Sequence, residues 1–249
     1  MTQQLTVTAS PPAPTPAQLV VECTRNLTLA GIPIGVLVIG VGSRLAMLIL
    51  RVTSPDRVNG VTSDDGFVIG QVTLGGSYNL LHIGAAVGLI GAGAYRLVSP
   101  WLIGPAWIRR FTTGAAAAAV AGSILLHGDG VDFTLLKPTW LAIGLFIALP
   151  GLFGVAISIA VDRVARSTWV AEGRRRWLVP IALVVAFPVT LLFVVLAALV
   201  VTVCVGVQRI AAVQRVRTSM PYGLAVRAVW LAVALGGLLA LVHDVQDIV

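Results

Sequence analysis

The sequence predicts an all-α fold, a polytopic transmembrane helix bundle with about six spans. Two observations predict it: 57% of the 249 residues are hydrophobic while only 11% are charged, and the hydrophobic residues are gathered into long runs. So little charge cannot cover the surface of a water-soluble domain. A helix needs about 20 consecutive apolar residues to cross the hydrocarbon core of a bilayer, and several runs reach or approach that length.

Six apolar runs are candidate spans. The first is interrupted only by Ser43-Arg44, and the third is dominated by alanine and has the weakest hydropathy. The fifth either crosses once as a tilted, proline-kinked helix or folds back at Pro188, and we prefer one crossing because about 30 residues are short for two spans. The runs extend over Leu27–Leu50, Leu80–Val98, Thr113–Leu126, Trp140–Val161, Leu178–Val207 and Leu224–Val242.

Residues 1–26 are predicted to be a disordered N-terminal tail, and residues 27–249 the transmembrane domain. The first 20 residues are polar and rich in Pro, Ala and Thr, and Pro11–Pro16 favours an extended chain. They lack a basic segment followed by an apolar stretch, so we expect no cleaved signal peptide.

The positions of the arginines predict the orientation in the membrane. The chain carries 17 Lys and Arg residues against 10 Asp and Glu, and cations between spans hold loops on the cytoplasmic side. They are concentrated in the second and fourth loops, at Arg96, Arg109, Arg110, Arg163, Arg166 and Arg174–Arg176. We therefore expect a cytoplasmic N-terminus. The basic charge is attributed to the membrane, and nucleic acid is not expected as a partner.

The fifth run decides where the C-terminus lies. If the run crosses once, the fifth loop, with Arg209, Arg215 and Arg217, is placed outside the cell. If it folds back at Pro188 as two short spans or a re-entrant pair, that loop returns to the cytoplasm and the C-terminus exits.

Small residues repeat at helical spacing in the first three runs. Helices in lipid associate through close packing and interhelical hydrogen bonds, and small residues allow the backbones to approach. We therefore expect a tightly packed bundle of the first three helices, with the glycine stripe of the second facing its neighbours. The residues concerned are Gly31 and Gly35, then Gly84, Gly88 and Gly91, then Ala115, Ala119 and Gly122.

Arg44 is the most informative single residue, because a cation inside a span is costly and usually faces a partner or a water-filled cavity. Its side chain either extends to the interface without a specific function, or its charge pairs with a carboxylate of an outer loop and closes or binds something at the outer face. The candidate carboxylates are Asp64, Asp65, Asp129 and Asp132. His82, at the start of the second run, lies near the same boundary. Arg44, Asp64, Asp65 and His82 form a candidate substrate or ion pathway at the outer face.

A second candidate site lies in the third loop, within His127-Gly128-Asp129-Gly130-Val131-Asp132. Carboxylates with one imidazole suit a divalent cation, so His127, Asp129 and Asp132 are candidate metal ligands. The same residues are also typical of a turn, in which glycine supplies a positive φ and aspartate bonds to its own backbone. No recognised ligand spacing is present, and we expect no bound cofactor.

Three segments add a resemblance: Asp64–Phe67, Tyr95–Leu102 and Asp129–Phe133. They resemble segments of uncharacterised polytopic membrane proteins of high-GC Gram-positive bacteria. The resemblance covers roughly the first four spans and implies a bacterial cell membrane as the location. It implies no activity and assigns no functional residues.

The motifs of a P-loop, a His-Glu-x-x-His metalloprotease, a Gly-x-Ser-x-Gly hydrolase and a kinase are absent. The leading hypothesis is a non-enzymatic protein that acts by interaction, as a partner subunit or sensor, with the lipid bilayer, another membrane protein or a second copy as its partners. One alternative is a small-solute or ion transporter, suggested by Arg44, Pro150 and Pro188. Another is a membrane-embedded enzyme acting at the outer headgroup region through the acidic loops.

Overall fold

The structure, a computed structural model, describes residues 15–55, 60, 73–102, 104–126, 137–167, 199, 202–203, 206 and 220–248. Every regular element in these ranges is helical, which confirms the predicted all-α class. We number six α-helices; a π-helical segment joins the first two, and one turn of 3-10 helix, Ser99–Trp101, follows the third. The elements are α1 Pro16–Ile34, the π segment Gly35–Val41, α2 Gly42–Thr53, α3 Leu74–Val98, α4 Ala106–Leu125, α5 Thr139–Arg166 and α6 Met220–Ile248.

Four helices within the described ranges are long and apolar enough to cross a membrane. They contain the first, second, fourth and sixth predicted runs, and their bounds are Glu22–Thr53, Leu74–Trp101, Thr139–Arg166 and Gly223–Gln246. The third predicted run falls in α4, which is not among the four. Two arginines close to its N-terminus and its content of alanine, glycine and threonine lower its hydropathy.

The fifth predicted run lies outside the described residues except for Leu199, Thr202, Val203 and Gly206. The structure therefore supports four apolar helices of spanning length and does not confirm a count of six.

α1, the π segment and α2 form one continuous helix, called the first helix. It begins at Pro16, inside the range predicted to be a disordered tail. Thr15 and Gln18 form a capping box: the Gln18 backbone N–H donates to Thr15 Oγ1 at 3.3 Å, and the Thr15 N–H donates to Gln18 Oε1 at 2.7 Å. Proline at the first helical position is favourable because its missing N–H has no intrahelical partner there. Asn26 is buried inside this helix, so the helix extends across the predicted division between residues 26 and 27, and the division into tail and transmembrane domain stays a prediction. Residues 1–14 lie outside the described ranges.

The long first helix crosses α3 through glycine on both sides. A β-carbon added at Gly31 would lie 2.7 Å from the Gly88 carbonyl oxygen, and one at Gly84 would lie 2.6 Å from the Gly35 carbonyl oxygen. Because these distances are shorter than any real carbon contact, only glycine lets the two backbones approach this closely. The predicted contact between the glycine stripes of the first two runs is confirmed.

The π segment coincides with this crossing. Pro33, just before it, has no backbone N–H to donate, and Gly35 and Gly40 within it carry no side chain, conditions under which a helix departs readily from α geometry. A β-carbon added at Gly40 would lie 3.1 Å from Leu81 Cα. The wider turn of the π segment therefore lies directly against the α3 backbone.

The third predicted span packs differently from the prediction. α4 packs mainly against α5 and α6, and the contact of Gly237 with Ala119 and of Leu241 with Gly122 joins it to α6. Ala115 is exposed. The predicted bundle of the first three helices is therefore wrong in its third member. A stripe of small residues shows where a backbone can be approached, and it does not identify the helix that approaches.

The contacts fix the direction of each helix. α3 runs antiparallel to the first helix, and α5 runs antiparallel to α4, since Gly154 lies against Thr113 while Ile147 lies near Gly122. α6 runs parallel to α4: Arg227 Nε donates to the Trp101 carbonyl oxygen at 3.1 Å, close to the start of α4, and Leu241 lies near its end. The connection from α5 to α6 therefore starts and ends at the same end of the bundle.

That end, formed by the starts of α1, α4 and α6 and the ends of α3 and α5, is called the arginine end. It carries seven of the described arginines, at Arg25, Arg96, Arg109, Arg110, Arg163, Arg166 and Arg227. The other end joins the end of α2 to the start of α5, where Ser54 Oγ donates to the Lys137 carbonyl oxygen at 3.1 Å. One buried apolar cluster lies towards each end, around Tyr95 at the arginine end and around Leu126 at the other.

Candidate functional site

Two of the predicted pathway residues lie in the described part of the chain. Arg44 is half-buried in α2, two residues after Gly42, which lies against Leu149 of α5. His82 is half-buried in the third turn of α3. Its Nδ1 lies 3.0 Å from the carbonyl oxygen of Tyr78, and the two rings make an edge contact with their centroids 4.1 Å apart. His82 is thus held by its own helix.

The other predicted site residues, Asp64, Asp65, His127, Asp129 and Asp132, lie outside the described residues. The pairing of Arg44 with an outer carboxylate and the third-loop metal site therefore stay predictions. Within the described ranges, histidine, cysteine, aspartate and glutamate side chains form no group of three that could hold a metal ion.

Pro150, one motive for the transport hypothesis, is buried within α5. The helix continues without a break from Thr139 to Arg166, so the proline does not open the backbone at this point. Unwound backbone is what a broken transporter helix offers to a substrate. Pro150 therefore supplies no such site, and Pro188 lies outside the described residues.

The polar cluster that the structure does assemble lies at the arginine end, around Tyr95. This side chain is only 4% exposed, and its hydroxyl donates to Asp162 Oδ1 at 3.1 Å. The bond joins the end of α3 to the end of α5. Arg166, one turn later, donates its Nε to the Asp162 backbone carbonyl at 2.9 Å, which completes the end of α5.

Two arginines of α4 lie beside this pair. Arg109 and Arg110 are close enough to the Tyr95 hydroxyl to act on it electrostatically. Both side chains are half-buried, and their Nε–H groups are buried without an acceptor within the described ranges. Buried N–H groups are almost always hydrogen-bonded in proteins. The two guanidinium groups therefore have donor capacity that the described protein atoms do not use.

A third donor lies on α1 at the same level. Asn26 is 3% exposed, and its Oδ1 accepts from Nε and Nη2 of Arg25, each at 3.3 Å. Its Nδ2 is buried and has no acceptor among the described residues. The next residue, Leu27, packs in the same apolar cluster as Tyr95. The arginine end thus combines several cations with buried donors on two helices.

The first turn of α4 adds two further features. Pro105, at the N-cap, makes no side-chain hydrogen bond to the helix, so the first backbone N–H groups are left for solvent or a ligand. Trp107 and Phe111 are each 68% exposed and flank the two arginines. Tryptophan is enriched at the boundary between lipid and water.

This arrangement is suited to holding an anion with several acceptor oxygens, because guanidinium groups bind carboxylate and phosphate through charge-assisted hydrogen bonds. Arg109 and Arg110 were predicted only as markers of orientation, and Tyr95, Asn26 and Asp162 were not predicted to be functional. A usable signal was present: Asp162 is the only acidic residue of the fourth run and its flanks, directly before Arg163. Its partner, 67 residues away in sequence, could not be inferred.

No protein-family model matches the chain, and no curated protein or solved structure matches it either.

Proposed function

We propose that this chain is a multi-pass protein of a bacterial cell membrane that acts by interaction, as a partner subunit or sensor, and not by catalysis. The observation that carries the proposal is the backbone contact of the first helix with α3. At Gly31, Gly35, Gly84 and Gly88 a single added methyl group would overlap backbone atoms. Such a contact leaves no passage between the two helices and favours a rigid scaffold over a moving transport pathway.

The bacterial location rests on the sequence resemblance, and the multi-pass arrangement rests on the four apolar helices. The orientation rests on the arginine end. We place this end, with the N-terminus, on the cytoplasmic side, following the distribution of cations. Because α6 runs parallel to α4, the same assignment places Arg209, Arg215 and Arg217 in the cytoplasm and the C-terminus outside. The alternative in which the fifth run folds back is therefore the one we adopt.

Reporter insertions test this topology. A reporter after Ser167 and a second one at the C-terminus are expected on opposite sides of the membrane, the first in the cytoplasm. A fifth run that crosses only once places both reporters on the same side. A reporter after Ser54, at the opposite end of the bundle, serves as the outer control.

Photo-crosslinking in living cells tests the interaction itself. A crosslinking residue at Leu235, which is 57% exposed on α6, reports on the lipid-facing surface, and one at Ala142, which is fully buried, serves as the control. Scanning the exposed positions of α6 and α3 is expected to give a protein product of one reproducible mass from one helix face. Products with lipid alone at every position, together with solute flux in liposomes, would contradict the proposal and favour transport.

A further inference from the structure

The arginine end contains three buried donors that lack an acceptor in the described part of the chain: Asn26 Nδ2, Arg109 Nε and Arg110 Nε. All three are N–H groups. Asn26 lies on α1 and the two arginines lie on α4, so the candidate site is that of the arginines. A ligand of Arg109 and Arg110 would have to offer acceptors, and a ligand carrying negative charge would gain most from the guanidinium groups.

The local charge is unbalanced in the same direction. Asp162 accepts the Tyr95 hydroxyl at 3.1 Å, and Arg109 and Arg110 act on the same hydroxyl electrostatically. One carboxylate next to two guanidinium groups leaves an excess positive charge at a partly buried position. A phosphate group, with its negative charge and several acceptor oxygens, complements this arrangement better than a single carboxylate does.

The depth of the site points to lipid as the source of the phosphate. Arg109 and Arg110 are the fourth and fifth residues of α4, close to its N-terminus, where the helix dipole and the uncapped N–H groups also favour an anion. Trp107, two residues before Arg109, is exposed, and tryptophan is a residue typical of the lipid–water boundary. Headgroup phosphates lie at this level of a bilayer.

We propose that Arg109 and Arg110 bind the phosphate group of an anionic lipid at the arginine end of the bundle. The bond between Tyr95 and Asp162 holds α3 against α5 beside the two arginines. The bound lipid supplies the acceptors that the described protein atoms do not provide.

Native mass spectrometry of the purified full-length chain, with phosphatidylglycerol added in detergent, tests the proposal. The wild-type chain is expected to retain discrete lipid adducts, and the double variant R109Q/R110Q is expected to lower the apparent affinity by about tenfold or more, since each lost charge-assisted hydrogen bond is worth at least that factor. The matched control is R163Q/R166Q, which removes the same charge from the same end at two exposed positions. It is expected to change the affinity by less than about threefold.

Equal losses in the two double variants would overturn the proposal, because binding would then depend on net charge alone. If R109Q/R110Q does not fold, the wild-type chain still provides a test. Its midpoint of thermal unfolding is expected to rise with phosphatidylglycerol and not with phosphatidylcholine, because a ligand that binds only the native state stabilises it. No rise with phosphatidylglycerol would also overturn the proposal.

A competition experiment with inorganic phosphate distinguishes a site for a lipid phosphate from a site for a free phosphate ion. Millimolar phosphate is expected to displace the lipid adducts from the wild-type chain and not to displace the few adducts that R109Q/R110Q still forms. In that case the two ligands share the site and the guanidinium contact is supported. If phosphate stabilises the chain while phosphatidylglycerol does not, the site takes a free anion and the lipid proposal is overturned.

Discussion

Two helix crossings in the molecule are formed by small residues: the first helix crosses α3, and α4 crosses α5. They differ in the atoms that an added methyl group would meet. At the first crossing glycines on both helices face each other, and the atoms met are backbone. At the second, a β-carbon added at Gly154 would lie 2.8 Å from the Thr113 carbonyl oxygen, and one added at Gly114 would first meet the Val155 side chain, at 2.6 Å. One added at Gly151 would lie 3.4 Å from the Ala118 β-carbon, an ordinary contact. A small-residue stripe is therefore strict only where an added β-carbon would meet backbone atoms.

The largest expected effect is that of Gly88→Leu at the first crossing. An added β-carbon would overlap the Gly31 carbonyl oxygen and lie 2.9 Å from Gly35 Cα, so the two helices must separate. We expect the free energy of unfolding to fall by about 3 kcal/mol or more, measured as thermal stability in detergent. Gly144→Leu, at an exposed α5 position with open space around it, is the control. Equal stability of the two variants would refute a strict contact at Gly88.

At the second crossing, alanine substitutions at Gly154 and Gly151 are expected to change the free energy of unfolding by different amounts. A β-carbon at Gly154 would lie 2.8 Å from the Thr113 carbonyl oxygen, so Gly154→Ala should cost about 1–3 kcal/mol. Gly151→Ala should be neutral or stabilise the protein by up to about 1 kcal/mol, because alanine is the better helix former. Thermal unfolding of both variants in one detergent provides the comparison. A loss at Gly151 as large as that at Gly154 would mean that α4 and α5 pack more closely there than the structure shows.

Tyr95 connects the two crossings, because it lies on α3 and bonds to α5. Tyr95→Phe removes the hydroxyl that donates to Asp162 and leaves the ring in its apolar cluster. We expect a loss of about 1–2 kcal/mol in the free energy of unfolding, measured by thermal unfolding. Tyr78→Phe, at a half-exposed position of the same helix, is expected to change the stability by less than about 0.5 kcal/mol. The same loss of stability at both positions would show that the bond to Asp162 does not account for the effect of Tyr95→Phe.

The smallest effect is expected at Gly42. A β-carbon there would lie 2.5 Å from Leu149 Cδ1, the end of a flexible side chain, and 3.7 Å from its Cγ. Leu149 can change rotamer, so Gly42→Ala should alter stability by less than about 1 kcal/mol, with the gain in helix propensity offsetting the repacking. Gly40→Ala, where Leu81 Cα is 3.1 Å away, should cost more. Thermal unfolding that ranked Gly42 as the more sensitive position would contradict this order.

Much of the fold could be predicted from the sequence, and little of the candidate site could. The apolar runs identify four of the helices, and for most of the helix ends the predicted residue is only a few positions from the observed one. Hydrophobicity over about 20 residues is a local property, so it can be read from the sequence. The start of α1 was not predicted, since the short apolar segment Leu19–Val21 in its first turns is separated from the long apolar run by the largely polar segment Glu22–Asn26. Arg44 and His82 were selected as isolated polar residues within spans, and the structure brings neither into the cluster around Tyr95.

The sequence by itself determined the all-helical class, the approximate position of the apolar helices and the residues at which backbones can approach. Only the tertiary structure decided that Gly31 meets Gly88, that α4 packs on α5 and α6, and that α6 runs parallel to α4. It also brought Tyr95 to Asp162. Local composition controls whether a segment is helical and apolar, whereas the choice of partner depends on the fit between surfaces that are distant in the chain, and no local pattern records that fit.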